Sequence, residues 1–198
     1  MTIVAVLCYN ESRTIGSVVL KAKLLGNLVD KVVVVDDGSY DDSVKIAGDA
    51  GAEVISHDVN KGYGAATMTA LRVGRRENCD ILVIMDGDGQ HDAADIPRLI
   101  KPLQDKHADI VIGTRFADEK NQAPLYRQVG QEVLTLLGSL VFGHYISDNQ
   151  CGFRALNKRA LRSLNLQETG MGVSVELHQQ IKILGLRHLD VPVTVRYG

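Results

Sequence analysis

Ile81-Leu82-Val83-Ile84-Met85-Asp86-Gly87-Asp88-Gly89-Gln90 is the stretch from which the fold of this chain can be read. Five large apolar residues in succession predict a strand covered on both faces, and two carboxylates follow at its carboxyl end. Ligand sites in open α/β sheets lie beyond that end of the strands. Aspartates one residue apart are hard oxygen donors that suit Mg²⁺ or Mn²⁺ and leave positions for the phosphate oxygens of a substrate. Taken alone, the pair also reads as an acidic turn loosened by Gly87 and Gly89. The rest of the chain decides between the two.

Further apolar runs occupy residues 3–8, 32–35, 54–55 and 110–112, with segments of helical spacing between them. The alternation predicts an α/β fold with a mostly parallel central sheet flanked by helices. Helices are expected over 12–28, with Ile15, Val18, Val19 and Ala22 inward, and from Ser39 onward, with Val44, Ala47 and Ala50 facing the sheet. Two more are expected over 65–73 and 96–103. Beyond Arg115 the pattern changes to a polar loop at 118–122, a long helix from Tyr126, a short strand at 152–156, a helix over 175–184 and a proline-bearing edge strand at 190–195. This last third extends the sheet, and the 198 residues form a single domain.

Composition narrows the function. A net charge of −2 offers nucleic acid no general attraction. Three widely spaced cysteines form neither a disulfide framework nor a C-x-x-C pair, which fits a reducing compartment. No charged leader or cleavage site precedes the first strand, so a cytoplasmic protein is expected. The apolar segment 133–147 is too short to span a bilayer and reads as a core helix or as one lying in the membrane interface.

Polar groups close the other strands as well. Tyr9-Asn10-Glu11 follows the first and Asp36-Asp37-Gly38-Ser39 the second, and parallel neighbours would bring both to the crevice that holds Asp86. Tyr9 suits stacking on a nucleobase, and Glu11 and Asp36 suit ring N–H or ribose hydroxyl donors; each alone also reads as a solvated loop residue or a helix cap. Lys61 beside Gly62 opens a helix and suits phosphate. The Gly62-x-Gly64 pair does not continue as a dinucleotide fingerprint, and no phosphate-binding P-loop is present. His91, beside the aspartates, suits a metal ligand or a phosphate contact and also reads as an exposed loop residue, which is the expectation. No activated Ser or Cys nucleophile motif and no H-E-x-x-H occurs.

In order along the chain, Leu7-Cys8-Tyr9-Asn10-Glu11, Val35-Asp36-Asp37-Gly38-Ser39, Gly62-Tyr63-Gly64-Ala65-Ala66, Asp86-Gly87-Asp88-Gly89-Gln90-His91, Gly113-Thr114-Arg115 and Cys151-Gly152-Phe153-Arg154 resemble the family 2 inverting glycosyltransferases of GT-A fold, and most of all the polyprenyl- or dolichyl-phosphate sugar transferases. The resemblance covers essentially the whole chain. It implies a UDP- or GDP-sugar donor, Mg²⁺ or Mn²⁺, a polyprenyl or dolichyl phosphate acceptor and a membrane surface. It further implies that Tyr9, Glu11, Asp36, Lys61, Asp86, Gly87 and Asp88 bind the sugar nucleotide, and that Asp86, Asp88 and Gln90 hold the metal. Arg115, Arg127, Gln131 and Arg154 would meet the acceptor, Asp88, Arg115 and Arg127 would be catalytic, and Asp148 would shape the acceptor pocket. Residues 1–115 would form the donor part and 116–198 the acceptor part, with 133–146 against the membrane.

The chain departs from that pattern at Leu7, where proline is usual, at Gly87, where alanine is common, and at Gln131, where a serine often serves the acceptor phosphate. Relatives also continue past the final Arg196-Tyr197-Gly198, which suggests a piece of a longer, membrane-anchored protein. Competing readings are a sugar-phosphate nucleotidyltransferase, a silent nucleotide-sugar binding domain, and a transferase acting on a hydroxyl acceptor. The last would need a carboxylate base, for which Glu176 is the one candidate.

Overall fold

The structure is a computed structural model and describes residues 1–114 and 151–196. Arg115, Arg127, Gln131, Asp148, the loop at 118–122 and the apolar segment 133–147 lie outside the described residues.

Seven strands form one sheet in the order β3-β2-β1-β4-β6-β5-β7. β1 (Thr2–Cys8), β2 (Lys31–Asp36), β3 (Glu53–Ser56) and β4 (Ile81–Asp86) run parallel. β6 (Arg154–Asn157) enters antiparallel between β4 and β5 (Ile110–Thr114), and β7 (His188–Pro192) closes the edge parallel to β5. The expectation of a mostly parallel sheet holds. The short strand near 152–156 lies between two parallel strands, and Pro192 takes the last place of an edge strand, where a missing N–H does least harm.

The central strands are continuously apolar because both faces are covered. Val4, Val6, Val32, Val34, Val83 and Met85 pack in one core with α1 (Ile15–Lys23) and α4 (Ile96–Gln104). Ile3, Ala5, Val33, Val35, Leu82 and Ile84 pack in the other with α3 (Tyr63–Arg76) and α6 (Val173–Ile183), beside the short α5 (Lys158–Ser163). Each fully buried aliphatic side chain contributes roughly 1.5–3 kcal/mol.

Two helices differ from expectation. α1 ends at Lys23 instead of 28, and Gly26, at φ 55°, opens a separate 3₁₀ turn over Gly26–Leu28. α2 (Ser43–Asp49) turns Ser43 and Ala47 inward and leaves Val44 exposed. Ser43 is drawn inward by its hydroxyl, which accepts the Glu11 N–H at 2.7 Å and reaches Asp41 Oδ1 at 2.5 Å. That hydrogen bonding sets the phase of the helix against its apolar pattern.

Strand order reverses between β1 and β4, the topological switch point at which open α/β sheets bind ligands.

Candidate active site

Register brings the three polar strand ends together: Cys8 pairs with Asp36, and Leu7 with Asp86. Above them opens a cleft of about 400 Å³ lined by Tyr9, Glu11, Asp37, Tyr63, Asp86 and Asp88, with Met171 at its margin. The loops are stitched to one another. The Asn10 N–H donates to Ser39 Oγ (2.8 Å), and the Tyr40 N–H donates to Asn10 Oδ1 (3.0 Å). Asn10 adopts φ 56°, a left-handed conformation that asparagine tolerates.

Tyr9 is 44% exposed and meets the edge of Tyr40, with ring centroids 6.4 Å apart. Tyr40, itself exposed, escaped sequence reading although it directly follows the Asp-Asp-Gly-Ser run. Glu11 stands behind the Asp86–Asp88 loop: the Thr14 hydroxyl lies 3.0 Å from Glu11 Oε2 and 2.8 Å from the Gly87 carbonyl, so its single proton is shared between them. Burial raises the Glu11 carboxyl above its ordinary value, and the charges of Asp88 and Asp41 add to this against the Thr14 bond.

Asp86 and Asp88 both reach the cleft. The Gln90 N–H donates to Asp88 Oδ1 at 2.9 Å, and the Gln90 carbonyl accepts from the Arg196 N–H at 2.9 Å, so the loop is held from both sides. Gln90 is exposed and is not among the residues that line the cleft. Among the described residues no three His, Cys, Asp or Glu side chains are grouped to hold a metal ion. Two aspartates on an open cleft nevertheless fit Mg²⁺ or Mn²⁺, which take few protein carboxylates and complete their shell with waters and substrate phosphate.

The expected exposure of His91 needs correction, and Asp36, Lys61 and Arg154 are not among the residues that line this cleft. Asp36 is 1% exposed and its carboxylate accepts the Ser39 N–H at 3.2 and 3.3 Å; Asp37, which sequence reading passed over, lines the cleft instead. Lys61 lines a neighbouring cavity with His57, Thr69 and Arg72, and the Ala65 N–H in the first turn of α3 is already taken by the Thr169 carbonyl at 3.1 Å. His91 is buried at 8% exposure, its ring against Phe153 and Nε2 3.9 Å from Asp86 Oδ2. Its bridge to Val195 draws it inward, a tertiary contact with no local signature. Arg154 is 2% exposed and donates to the Cys151 carbonyl (3.1 Å) and to Ser174 Oγ (2.6 Å).

No thiol nucleophile is prepared at the strand ends, since burial pushes Cys8 up to about 11. The family model described as glycosyl transferase family 2 matches residues 3–164. The chain belongs to this family.

This family 2 glycosyltransferase is 34% identical over 178 residues to the UDP-N-acetylglucosamine–dolichyl-phosphate N-acetylglucosaminyltransferase of Methanococcus voltae, covering 80% of this chain and 70% of that one. It is 30% identical over 185 residues to the undecaprenyl-phosphate mannosyltransferase of Micrococcus luteus, covering 86% and 75%. Its fold matches the crystal structure of Mycobacterium tuberculosis glucosyl-3-phosphoglycerate synthase in complex with Mn²⁺, UDP-glucose and phosphoglyceric acid, with TM-score 0.77, 25% identity and coverage of 100% and 72%. The GT-A assignment therefore stands.

Glu176 does not face the glycosyltransferase cleft as a free carboxylate. Its oxygens accept the N–H groups of Gln167 (2.9 and 3.0 Å) and Glu168 (2.9 Å) and the Gln180 amide (3.2 Å). It thereby fixes the loop whose Thr169 and Gly170 press on Gly62 and Gly64. Among the described residues no helix is long and apolar enough to cross a membrane.

Proposed function

We propose that the enzyme transfers a hexose or N-acetylhexosamine from a UDP- or GDP-sugar to a polyprenyl (dolichyl) phosphate at the cytoplasmic membrane face, with inversion at the anomeric carbon. The observation that carries this reading is that Glu176, the base candidate read from the sequence for a hydroxyl acceptor, is engaged by the backbone amides of Gln167 and Glu168. A phosphate monoester is anionic near neutral pH and attacks without losing a proton. The names of the Methanococcus and Micrococcus relatives support the same acceptor class.

In this reading Tyr9 and Glu11 hold the nucleoside, and Asp86 and Asp88, with Gln90 beside them, hold Mg²⁺ or Mn²⁺. When bound, the ion supplies positive charge to the departing diphosphate. Arg115 and Arg127 meet the acceptor phosphate, and residues 116–198 form the acceptor side facing the membrane. The phosphate oxygen forms the new bond to the anomeric carbon as the bond to the nucleoside diphosphate breaks, so the protein's task is alignment.

The test is transfer from radiolabelled UDP- and GDP-sugars to a short-chain polyprenyl phosphate, with a soluble hydroxyl acceptor in parallel, in wild type and Glu176→Gln. Lipid-phosphate product is expected, with kcat of the variant within about tenfold of wild type, as for loss of hydrogen bonds to a loop. Transfer only to the hydroxyl acceptor, with kcat collapsing in Glu176→Gln, would overturn the reading.

A further inference from the structure

Asp37 follows β2 with both carboxylate oxygens engaged. Oδ1 accepts the Lys61 N–H at 2.9 Å and meets His57 Nδ1 at 2.7 Å, and Oδ2 accepts the Gly62 N–H at 2.8 Å. The His57 side chain is enclosed, and its other nitrogen, Nε2, lies 2.9 Å from Thr69 Oγ1 in the second turn of α3. A connected path therefore runs from the body of α3 through imidazole and carboxylate into the turn that begins the same helix. The far side of that turn has no slack: Gly62 sits at φ 96°, and a side chain there would meet the Thr169 carbonyl at 2.6 Å. Asn60, Gly62 and Tyr63 form one wall of the cleft.

We propose that His57 is a positioning residue for the sugar-nucleotide donor: acting through Asp37, it fixes the Lys61–Gly62 turn and with it the wall formed by Asn60, Gly62 and Tyr63. The inference rests on the reading of this cleft as the donor site. A buried carboxylate with three donors has little freedom, because each lost donor leaves part of its charge unsolvated. Without the imidazole, Asp37 holds the turn, but among the described residues no other hydrogen bond ties its carboxylate to the second turn of α3. The wall then shifts against the helix, and small misplacements at a binding wall weaken binding and alignment.

His57→Phe removes both nitrogens and keeps a ring, whereas His57→Asn retains an N–H donor near the Nδ1 position. UDP and GDP affinity is measured by calorimetry with Mn²⁺, amide hydrogen exchange is followed over residues 57–64, and donor KM and kcat are measured in the transfer assay. In His57→Phe the Kd of the nucleotide that wild type binds is expected to rise about tenfold, the worth of one charge-assisted hydrogen bond. Donor KM should rise with kcat little changed, exchange at Lys61 and Gly62 should quicken, and His57→Asn should recover most of the affinity. Wild-type affinity and exchange in His57→Phe, or a fall in kcat at constant KM, would overturn the proposal. If His57→Phe does not fold, Thr69→Val removes the hydroxyl that anchors Nε2: a raised Kd supports the role and an unchanged one overturns it. If wild type binds neither nucleotide, the donor-site reading fails by itself, and exchange at Lys61 and Gly62 still decides whether His57 holds the turn.

Discussion

Gly152 lies so close to the carboxylate of Asp86 that a side chain at 152 would overlap its Oδ2. The contact arises because β6 runs antiparallel to β4: the register that pairs Arg154 with Ile84 carries Gly152 to the level of Asp86. Gly152→Ala should push this carboxylate off its position. Mn²⁺-dependent UDP or GDP affinity is expected to fall about tenfold, as when the support of a metal ligand is lost. Calorimetry with and without Mn²⁺ checks this, and an unchanged metal dependence would separate Asp86 from the metal.

Asp88→Asn replaces a half-buried carboxylate by an amide of the same shape, with Oδ1 still able to accept the Gln90 N–H. Transfer is expected to fall at least about 100-fold. The melting temperature should stay within about 2 °C, since such substitutions change stability little. Full activity in this variant would refute the metal role of Asp88.

Glu11 gives a pH signature. Its carboxyl is raised above 4.5 in the folded protein, first by burial and then by Asp88 and Asp41. Below the unfolded value both states hold the proton and the group is neutral to stability. As pH climbs from 4.5 through the folded value, the unfolded chain ionises first and stability drops. Glu11→Gln should therefore melt at or above the wild-type temperature at pH 7 and match it near pH 3, while binding nucleotide more weakly. Melting curves across that range decide it, and a variant less stable at pH 7 than at pH 3 relative to wild type would contradict the sign.

Asp109 anchors the opposite end of the sheet. Buried at the start of β5, it accepts from the Arg187 guanidinium (3.0 and 3.1 Å), Arg159 (3.0 Å) and Asn157 (3.0 Å), tying β5 to β6 and to the entry of β7. Arg187 foremost holds its carboxyl below the usual range, so its stabilisation is present above the unfolded value near 3.8 and disappears as pH falls through the folded value. Asp109→Asn should cost about 3 kcal/mol, lowering the melting temperature by roughly 6–12 °C at pH 7. The deficit should shrink toward the acid limit; a deficit independent of pH would show that charge is not the cause.

The sequence by itself determined the sheet, the family and the crevice. Runs such as 81–85 have few solutions other than a doubly covered strand, and Asp86, Asp88, Tyr9 and Glu11 reach the cleft because side chains next to strand ends go where the strands go. Tertiary structure alone decided which neighbour of a pair faces that cleft. Asp36 and Asp37 are chemically identical and adjacent, yet the chain turns between them, and His57, distant in sequence, claims the second. The burial of His91 depends on Val195, the confinement of Arg154 on Ser174, and the engagement of Glu176 on the amides of Gln167 and Glu168. Hydrogen bonds between separate segments leave no periodicity in the chain, so these assignments appear only once the segments have met.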